Sequence, residues 1–150
     1  RKDTVPATPE SIELTHIAAR AASDGKATSI TAIDVSERLV LTDVFLVISG
    51  SSQRQVRSLV DDVEEALHKA GRKRVRREGL EGEARWVILD FGDIMVHVQQ
   101  DEDREFYALE KLWGDQPLID LPDDVTVEEP QTSSLAEYFE PVFDDEVEDE

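Results

Sequence analysis

A Gly-Ser-Ser turn is the first place where residue types and spacing in this chain could support chemistry. Gly50, Ser51 and Ser52 follow an apolar stretch and open a helical pattern, so their backbone N–H groups could bind an anion. Nucleotidyltransferases combine such a turn with two carboxylates at positions i and i+2 of a strand, which share metal ions because strand side chains alternate. An ordinary serine cap at the start of a helix is the alternative, and we favour it because such caps are common.

The carboxylates that such an enzyme needs do not have this arrangement. Asp90 and Asp93 are three residues apart with a turn between them, whereas Asp101 and Asp103 lie beyond the end of a predicted strand. The chain has no cysteine, and its three histidines are far apart in the sequence. Structural metal sites combine cysteine and histidine ligands at short spacing. We therefore predict that the protein is not an enzyme, with no catalytic residue, no metal site and no cofactor.

One histidine, His97, lies in the middle of a predicted strand. Strand alternation places it on the same face as Met95 and Gln99. A histidine that acts as a general base needs a nucleophile and an orienting acid, and the sequence points to neither. We therefore predict a histidine at the protein surface or in an interface.

The only concentrated positive charge lies in residues 69–77, called the basic run below. Six lysines and arginines fall there, which is compatible with phosphate contact. No aromatic residue is interleaved with them, so a solvated edge strand protected by charge from aggregation is an equal alternative. Both interpretations stay open at this stage.

Large aromatic side chains are concentrated in residues 85–114, which hold five of the nine in the chain. Interface hot spots favour tryptophan, tyrosine and arginine. The segment therefore indicates a surface that holds a partner protein. The predicted docking face consists of Trp86, Phe91, Met95, His97, Arg104, Tyr107 and Trp113.

Charge divides the chain into two unequal parts. Residues 1–111 contain all 16 lysines and arginines of the chain together with 21 acidic residues, so this part carries a formal charge of −5. The remaining residues contain 14 acidic side chains and no basic one. Such a segment buries too little apolar surface to offset the entropy cost of ordering its backbone. We predict a flexible arm over residues 1–8, a globular domain over 9–115 and a disordered acidic tail over 116–150.

The tail contains a small apolar island at residues 135–139, and the basic run is where this island could fold back.

No apolar stretch in the chain approaches the ~20 residues of a membrane-spanning helix. The first ten residues lack the apolar core of a signal peptide. The absence of cysteine fits a reducing compartment. We therefore expect a soluble, cytoplasmic protein.

Hydrophobic periodicity supplies the remaining elements. Thr8 and Pro9 open a helix, because threonine caps helices and proline suits the first helical position. Gly25 and Gly71 are predicted to end the two long helices. The predicted strands and edge segment span residues 28–35, 43–49, 72–77, 84–91 and 94–99. The order α-β-β-α-β-β-β-α predicts an α/β (α+β) protein with a single mixed β-sheet and helices packed on it.

Several motifs in this order resemble the ribosomal silencing factor family, also called the Iojap-related or RsfS family. The resemblance covers roughly residues 11–115. It is carried by Thr42-Asp43, Ser49-Gly50-Ser51-Ser52, Trp86, Asp90-Phe91-Gly92-Asp93, Val96-His97-Val98 and the ten residues from Arg104 to Trp113, REFYALEKLW. The acidic extension after Gly114 departs from the short ending typical of the family.

The resemblance implies a nucleotidyltransferase-like fold without working catalytic carboxylates. It implies a translational repressor that binds the large ribosomal subunit through ribosomal protein fourteen of that subunit. Occupying this face would block joining of the small subunit and lower translation when nutrients are short. The resemblance also suggests a homodimer, with little or no direct nucleic-acid binding. A large-subunit assembly factor with the same docking surface and a divergent nucleotidyltransferase are the alternatives.

Overall fold

The computed structural model describes residues 6–107 and 109–127, which form one mixed sheet with helices on it. The helices are α1 (Pro9–Asp24), α2 (Gln53–Lys69), α3 (Asp101–Tyr107) and α4 (Leu109–Leu112). The strands are β1 (Ser29–Asp34), β2 (Val44–Gly50), β3 (Arg76–Glu78), β4 (Trp86–Asp90) and β5 (Ile94–Gln100). The predicted fold class and element order are confirmed, and α3 and α4 are the described parts of the segment predicted as the last helix.

The five strands lie in the order β1-β2-β5-β4-β3. The central pair β2 and β5 is parallel, and every other pair is antiparallel. All seven residues of β2 are buried, as its continuous apolar sequence predicts for a strand covered on both faces. The edge strand β3 consists of three exposed residues, Arg76, Arg77 and Glu78.

The two long helices begin where the sequence predicts. The Thr8 hydroxyl accepts a hydrogen bond from the Ser11 N–H, and Pro9 occupies the first helical position of α1. Gly25 ends α1 with an ordinary φ of −83°, and the left-handed conformation falls on Lys26 instead. In the part of the chain that the structure describes, no helix combines the length and apolar character that crossing a bilayer requires.

The end of α2 shows why a glycine is needed at position 71. The Gly71 N–H donates to the His68 carbonyl, and the Arg72 N–H donates to the Leu67 carbonyl. These two bonds define the Schellman motif, which requires a residue with positive φ between them. Gly71 has a φ of +90° and supplies that conformation.

Each face of the sheet has its own core. The first face packs against α1 and α2 and includes the apolar residues of β2 and β5 at alternate positions, Leu46, Ile48, Val96 and Val98. The second face carries Phe45 and Val47, and Leu109 packs on it from α4. The second face is therefore the one on which the predicted docking residues can meet.

The segment after α4 contacts the globular domain. Residues 117–119 run along the open edge of β1, where the Asp34 N–H donates to the Pro117 carbonyl and the Ile119 N–H to the Ala32 carbonyl. Farther on, Arg20 of α1 pairs with Asp124 at 3.1 Å. Residues 116–127 belong to the predicted acidic tail, and the structure describes them with contacts to β1 and α1, because an unsatisfied strand edge offers backbone partners. The predicted disorder of the tail stays a prediction. Residues 128–150, which include the apolar island at 135–139, lie outside the described residues. The same is true of the first five residues of the predicted arm.

Candidate docking site

The Gly-Ser-Ser turn is a helix cap, as favoured above. The Ser52 hydroxyl accepts from the Gln55 N–H and caps α2. The Ser51 N–H donates to the Gln55 side-chain oxygen at 2.7 Å, so the turn uses this donor internally. The Gln55 amide nitrogen in turn bonds the carbonyls of Gly25 and Lys26. This arrangement ties the turn to the end of α1 and occupies a group that an anion would need.

The candidate carboxylates also have partners within the chain. Asp90 accepts from the Gly92 N–H at 2.9 Å and faces Arg76 at 3.5 Å. Asp93 lies 3.2 Å from Arg72. Across residues 6–107 and 109–127, no group of three histidine, cysteine, aspartate or glutamate residues is placed to hold a metal ion. These carboxylates hold the β4–β5 turn and the end of α2 together.

Acidic side chains of α2 neutralise much of the basic run. Glu64 pairs with both Arg74, at 2.8 Å, and Arg77, at 3.3 Å. Lys69 lies 3.4 Å from Glu65. Since exposed pairs contribute about 0–1 kcal/mol each, this arrangement matters more for charge than for stability. These pairs support the interpretation of the basic run as a solvated, charged edge strand more than its interpretation as a phosphate-binding surface.

His97 is buried on the second sheet face, so the surface alternative of the prediction is wrong, and contact of His97 with a partner stays a prediction. Only 4% of its surface is exposed. The Phe45 ring packs against it at a centroid distance of 4.7 Å. The Trp86 indole N–H donates to the His97 Nδ1 atom at 3.1 Å. Alternation identified the correct face of the strand but did not reveal what covers that face.

The Trp86 hydrogen bond fixes the state of the imidazole. Because Nδ1 accepts the hydrogen bond from Trp86, it carries no hydrogen, and a neutral ring then has its hydrogen on Nε2. Burial lowers the pKa of His97 from 6.5 to about 4, which keeps the ring neutral near pH 7. Neither Nε2 of His97 nor the side-chain amide of the fully buried Gln99 has a hydrogen-bond partner among the described residues.

Four of the seven predicted docking residues lie together on the second face. Trp86, Met95 and Trp113 pack on its core, and His97 lies among them. Phe45, which the sequence analysis did not select, joins them because its ring contacts both His97 and Trp113. A sequence signal existed, since Phe45 lies on the predicted central strand β2.

The structure separates Phe91 from this group. Phe91 is 3% exposed and belongs to the core on the first face, with α1 and α2. Alternation along β4 places Phe91 on the face of Val87 and Leu89, opposite Trp86. The structure therefore does not bring Phe91 together with the other predicted docking residues, and its role in docking stays a prediction. Arg104 is half-buried on α3, while the side chain of Tyr107 lies outside the described residues.

Sequence reasoning also missed Arg38, in the loop between β1 and β2. Its guanidinium lies 5.7 Å from the centre of the Trp113 ring and 3.0 Å from the Asp115 carboxylate. A cation over an aromatic face adds about 0.5–1 kcal/mol at exposed sites. Arg38 thus holds the loop against the segment that follows α4.

Fold and site together define a single-sheet α+β domain with an aromatic cluster packed on one sheet face. The model of one protein family, described as "Ribosomal silencing factor during starvation", matches residues 8–142. The chain belongs to this family.

Individual relatives agree with this assignment. The chain is 41% identical over 105 residues to ribosomal silencing factor RsfS of Bacillus subtilis, covering 70% of this chain and 88% of the relative. It is 38% identical over 109 residues to that of Halalkalibacterium halodurans, covering 73% and 92%. A crystal structure of a Chromobacterium violaceum protein superposes with a TM-score of 0.65 at 34% identity, covering 77% of this chain and 95% of that one.

A more distant relative has a different name. The mouse protein called mitochondrial assembly of ribosomal large subunit protein 1 is 34% identical over 91 residues. The match spans 58% of this chain and 39% of the mouse protein.

Proposed function

We propose that this protein binds the large ribosomal subunit in the cytoplasm and lowers translation by keeping the small subunit from joining. The family match over residues 8–142 carries this proposal, since members named for ribosomal silencing cover most of the domain. We further propose ribosomal protein fourteen of the large subunit as the point of attachment. The mechanism is steric exclusion on the face where the subunits meet.

Steric exclusion requires a rigid binding surface and no covalent step, so we propose that the protein is not an enzyme. The Gly-Ser-Ser turn is consistent with this, because Ser52 and Gln55 form a helix cap there. The carboxylates of Asp90 and Asp93 are also consistent with a protein that is not an enzyme. Asp90 pairs with Arg76 and accepts from the Gly92 N–H, and Asp93 pairs with Arg72. Binding energy from a well-packed contact is sufficient for the proposed mechanism.

Charge supports a basic partner. The whole chain carries a formal charge of −19, and ribosomal proteins that contact RNA are generally basic. Complementary charge speeds the encounter and orients the two surfaces. The rate of association should therefore fall as salt concentration rises, because exposed charges are screened over about 8 Å at physiological ionic strength.

Sedimentation of the full chain with ribosomal particles tests the proposal. Purified protein is mixed in turn with large subunits, small subunits and joined ribosomes, and the bound fraction is measured in each peak. The proposal expects the protein with large subunits alone. Equal amounts on joined ribosomes would contradict steric exclusion, and absence from large subunits would contradict the proposed partner.

A role in large-subunit assembly is the second candidate, and the name of the mouse relative favours it. The two roles need the same docking surface, so binding alone does not separate them. Depletion of the protein separates the two roles, because loss of an assembly factor causes precursor large subunits to accumulate during growth. Depletion of a silencing factor leaves mature subunits normal during growth and raises translation during starvation.

A symmetric homodimer stays a prediction. An apolar face of β4 and β5 left exposed in a monomer would favour such a dimer, because it would be buried between two copies. His97 on that face is buried within one chain, and Trp86 is half-buried, so this reason for a dimer is weaker in the structure. Sedimentation equilibrium at high micromolar concentration gives the mass directly.

A further inference from the structure

Exposed apolar side chains are concentrated at one end of the sheet. In the described part of the chain, five large hydrophobic residues are strongly exposed, and four of them lie in or beside the structures that meet at this end. These four form the loop-end surface: Val40 at 95% exposure, Leu41 at 84%, Leu112 at 70% and Leu118 at 68%. The two most exposed are adjacent at the tip of the loop between β1 and β2.

Contacts of the neighbouring residues bring the parts of this surface together. Arg38 reaches from the loop to Asp115, just beyond α4, and lies over the ring of Trp113. Leu39 packs on the second core with Trp113. Leu118 pairs with Ile33 at the end of β1. The loop, α4 and the segment after it therefore meet at the same end of the sheet.

The loop that presents Val40 and Leu41 is held by backbone hydrogen bonds. The Val35 N–H donates to the Asp43 carbonyl at 2.9 Å, which closes the base of the loop. The N–H groups of Arg38 and Leu39 both donate to the Val35 carbonyl. A loop fixed in this way loses little conformational entropy on binding, which favours affinity. Apolar side chains held in water on a fixed support are typical of interaction surfaces.

The charge of the chain selects the occupant. A second copy would bring another net acidic chain, with a formal charge of −5 over residues 1–111 and −19 in total, and a nucleic acid would bring phosphates. Arg38, the basic residue beside the tip, is already paired with Asp115. Glu37 adds an exposed acidic side chain at the rim. An apolar tip with acidic neighbours fits a protein that offers an apolar recess bordered by lysine or arginine.

We infer that the loop-end surface is the contact through which this protein docks on a basic protein of the large ribosomal subunit, with Val40 and Leu41 as its apolar anchor. The inference rests on the proposed function and adds which part of the surface makes the contact. The aromatic cluster of Trp86, His97 and Phe45 then supports the loop from within, through Trp113.

The test compares two variants of the full chain. Val40→Ser combined with Leu41→Ser removes the exposed anchor, and the high exposure of both residues means that the fold is retained. Val75→Ser is the matched control, because Val75 is 70% exposed but lies beside β3, at the opposite edge of the sheet. Circular dichroism and thermal unfolding of both variants should match those of the original chain.

Affinity for purified large subunits is then measured by fluorescence anisotropy at two salt concentrations. We expect at least about a tenfold loss for the double variant, as for the truncation of a hot spot, and less than about a twofold change for Val75→Ser. Equal affinity of the double variant and the original chain would overturn the inference and leave the proposed function standing. A double variant that loses self-association but keeps subunit binding would overturn it too, by assigning the surface to a second copy. Failure of the original chain to bind large subunits would overturn the proposed function, and the inference with it.

Discussion

Acidification should destabilise this protein through His97 before most carboxylates are protonated. The imidazole is 4% exposed, and its Nδ1 atom accepts the Trp86 indole N–H. Burial in this apolar setting lowers the pKa from 6.5 to about 4. In the unfolded chain the ring is hydrated and has its ordinary pKa.

The direction of the effect follows from proton binding. Between pH 6.5 and about 4, the unfolded chain binds a proton at His97 that the folded chain does not. The stabilising contribution is therefore complete above pH 6.5 and is lost as the pH falls toward 4. The full difference of pKa corresponds to about 3 kcal/mol, at 1.36 kcal/mol per unit. About 2 kcal/mol of it should be lost by about pH 5.

Urea unfolding of the original chain and of His97→Gln measures this contribution. Glutamine keeps an acceptor for Trp86 but does not titrate, so the variant corrects for the carboxylates that both chains share. Between about pH 7.5 and about pH 5, the original chain should lose about 2 kcal/mol more free energy of unfolding than the variant. Equal losses in the two chains, or an NMR titration of His97 near its ordinary pKa in the folded protein, would refute the reasoning.

Four further substitutions test the packing, the backbone conformation and the charge of the basic run. Gln99→Met should raise the free energy of unfolding by about 1–3 kcal/mol in urea, because it removes a fully buried amide without a partner among the described residues; a loss would contradict this. Gly79→Ala should cost more than about 3 kcal/mol, because a Cβ there would lie 2.1 Å from the Trp86 carbonyl oxygen at a φ of +95°. Gly71→Ala, with open space at a φ of +90°, should cost only about 1–2 kcal/mol, and equal costs at the two glycines would contradict the steric argument. Glu64→Gln should release two arginines and tighten RNA binding in fluorescence anisotropy at low salt, and unchanged binding would show that Glu64 does not mask the basic run.

The fold could be predicted from local patterns because each pattern has a physical cause within a few residues. Val56, Leu59, Val60 and Val63 recur at helical spacing and form the buried face of α2. The apolar run of β2 indicated a strand covered on both faces, and all of its residues are buried. Caps at Thr8 and Ser52 set where the helices begin.

The candidate site was predicted only in part, because burial on the second sheet face depends on distant segments. Alternation gave the face of His97 but not its cover, which includes Phe45 from β2, and Phe45 in turn packs against Trp113 from beyond α4. The exposure of Val40 and Leu41 was equally hidden, since two apolar residues in sequence are usually buried. Composition alone did not reveal the contacts of residues 116–127, where Ile119 satisfies the edge of β1.

A subunit-joining assay tests the central claim most directly. The full chain is incubated with purified large subunits, small subunits are added at a magnesium concentration that supports joining, and the joined fraction is measured by sedimentation. The proposed function predicts that joined ribosomes decrease as the protein increases, with the protein found on free large subunits. Undiminished joining, with the protein bound to joined ribosomes at one copy each, would contradict it.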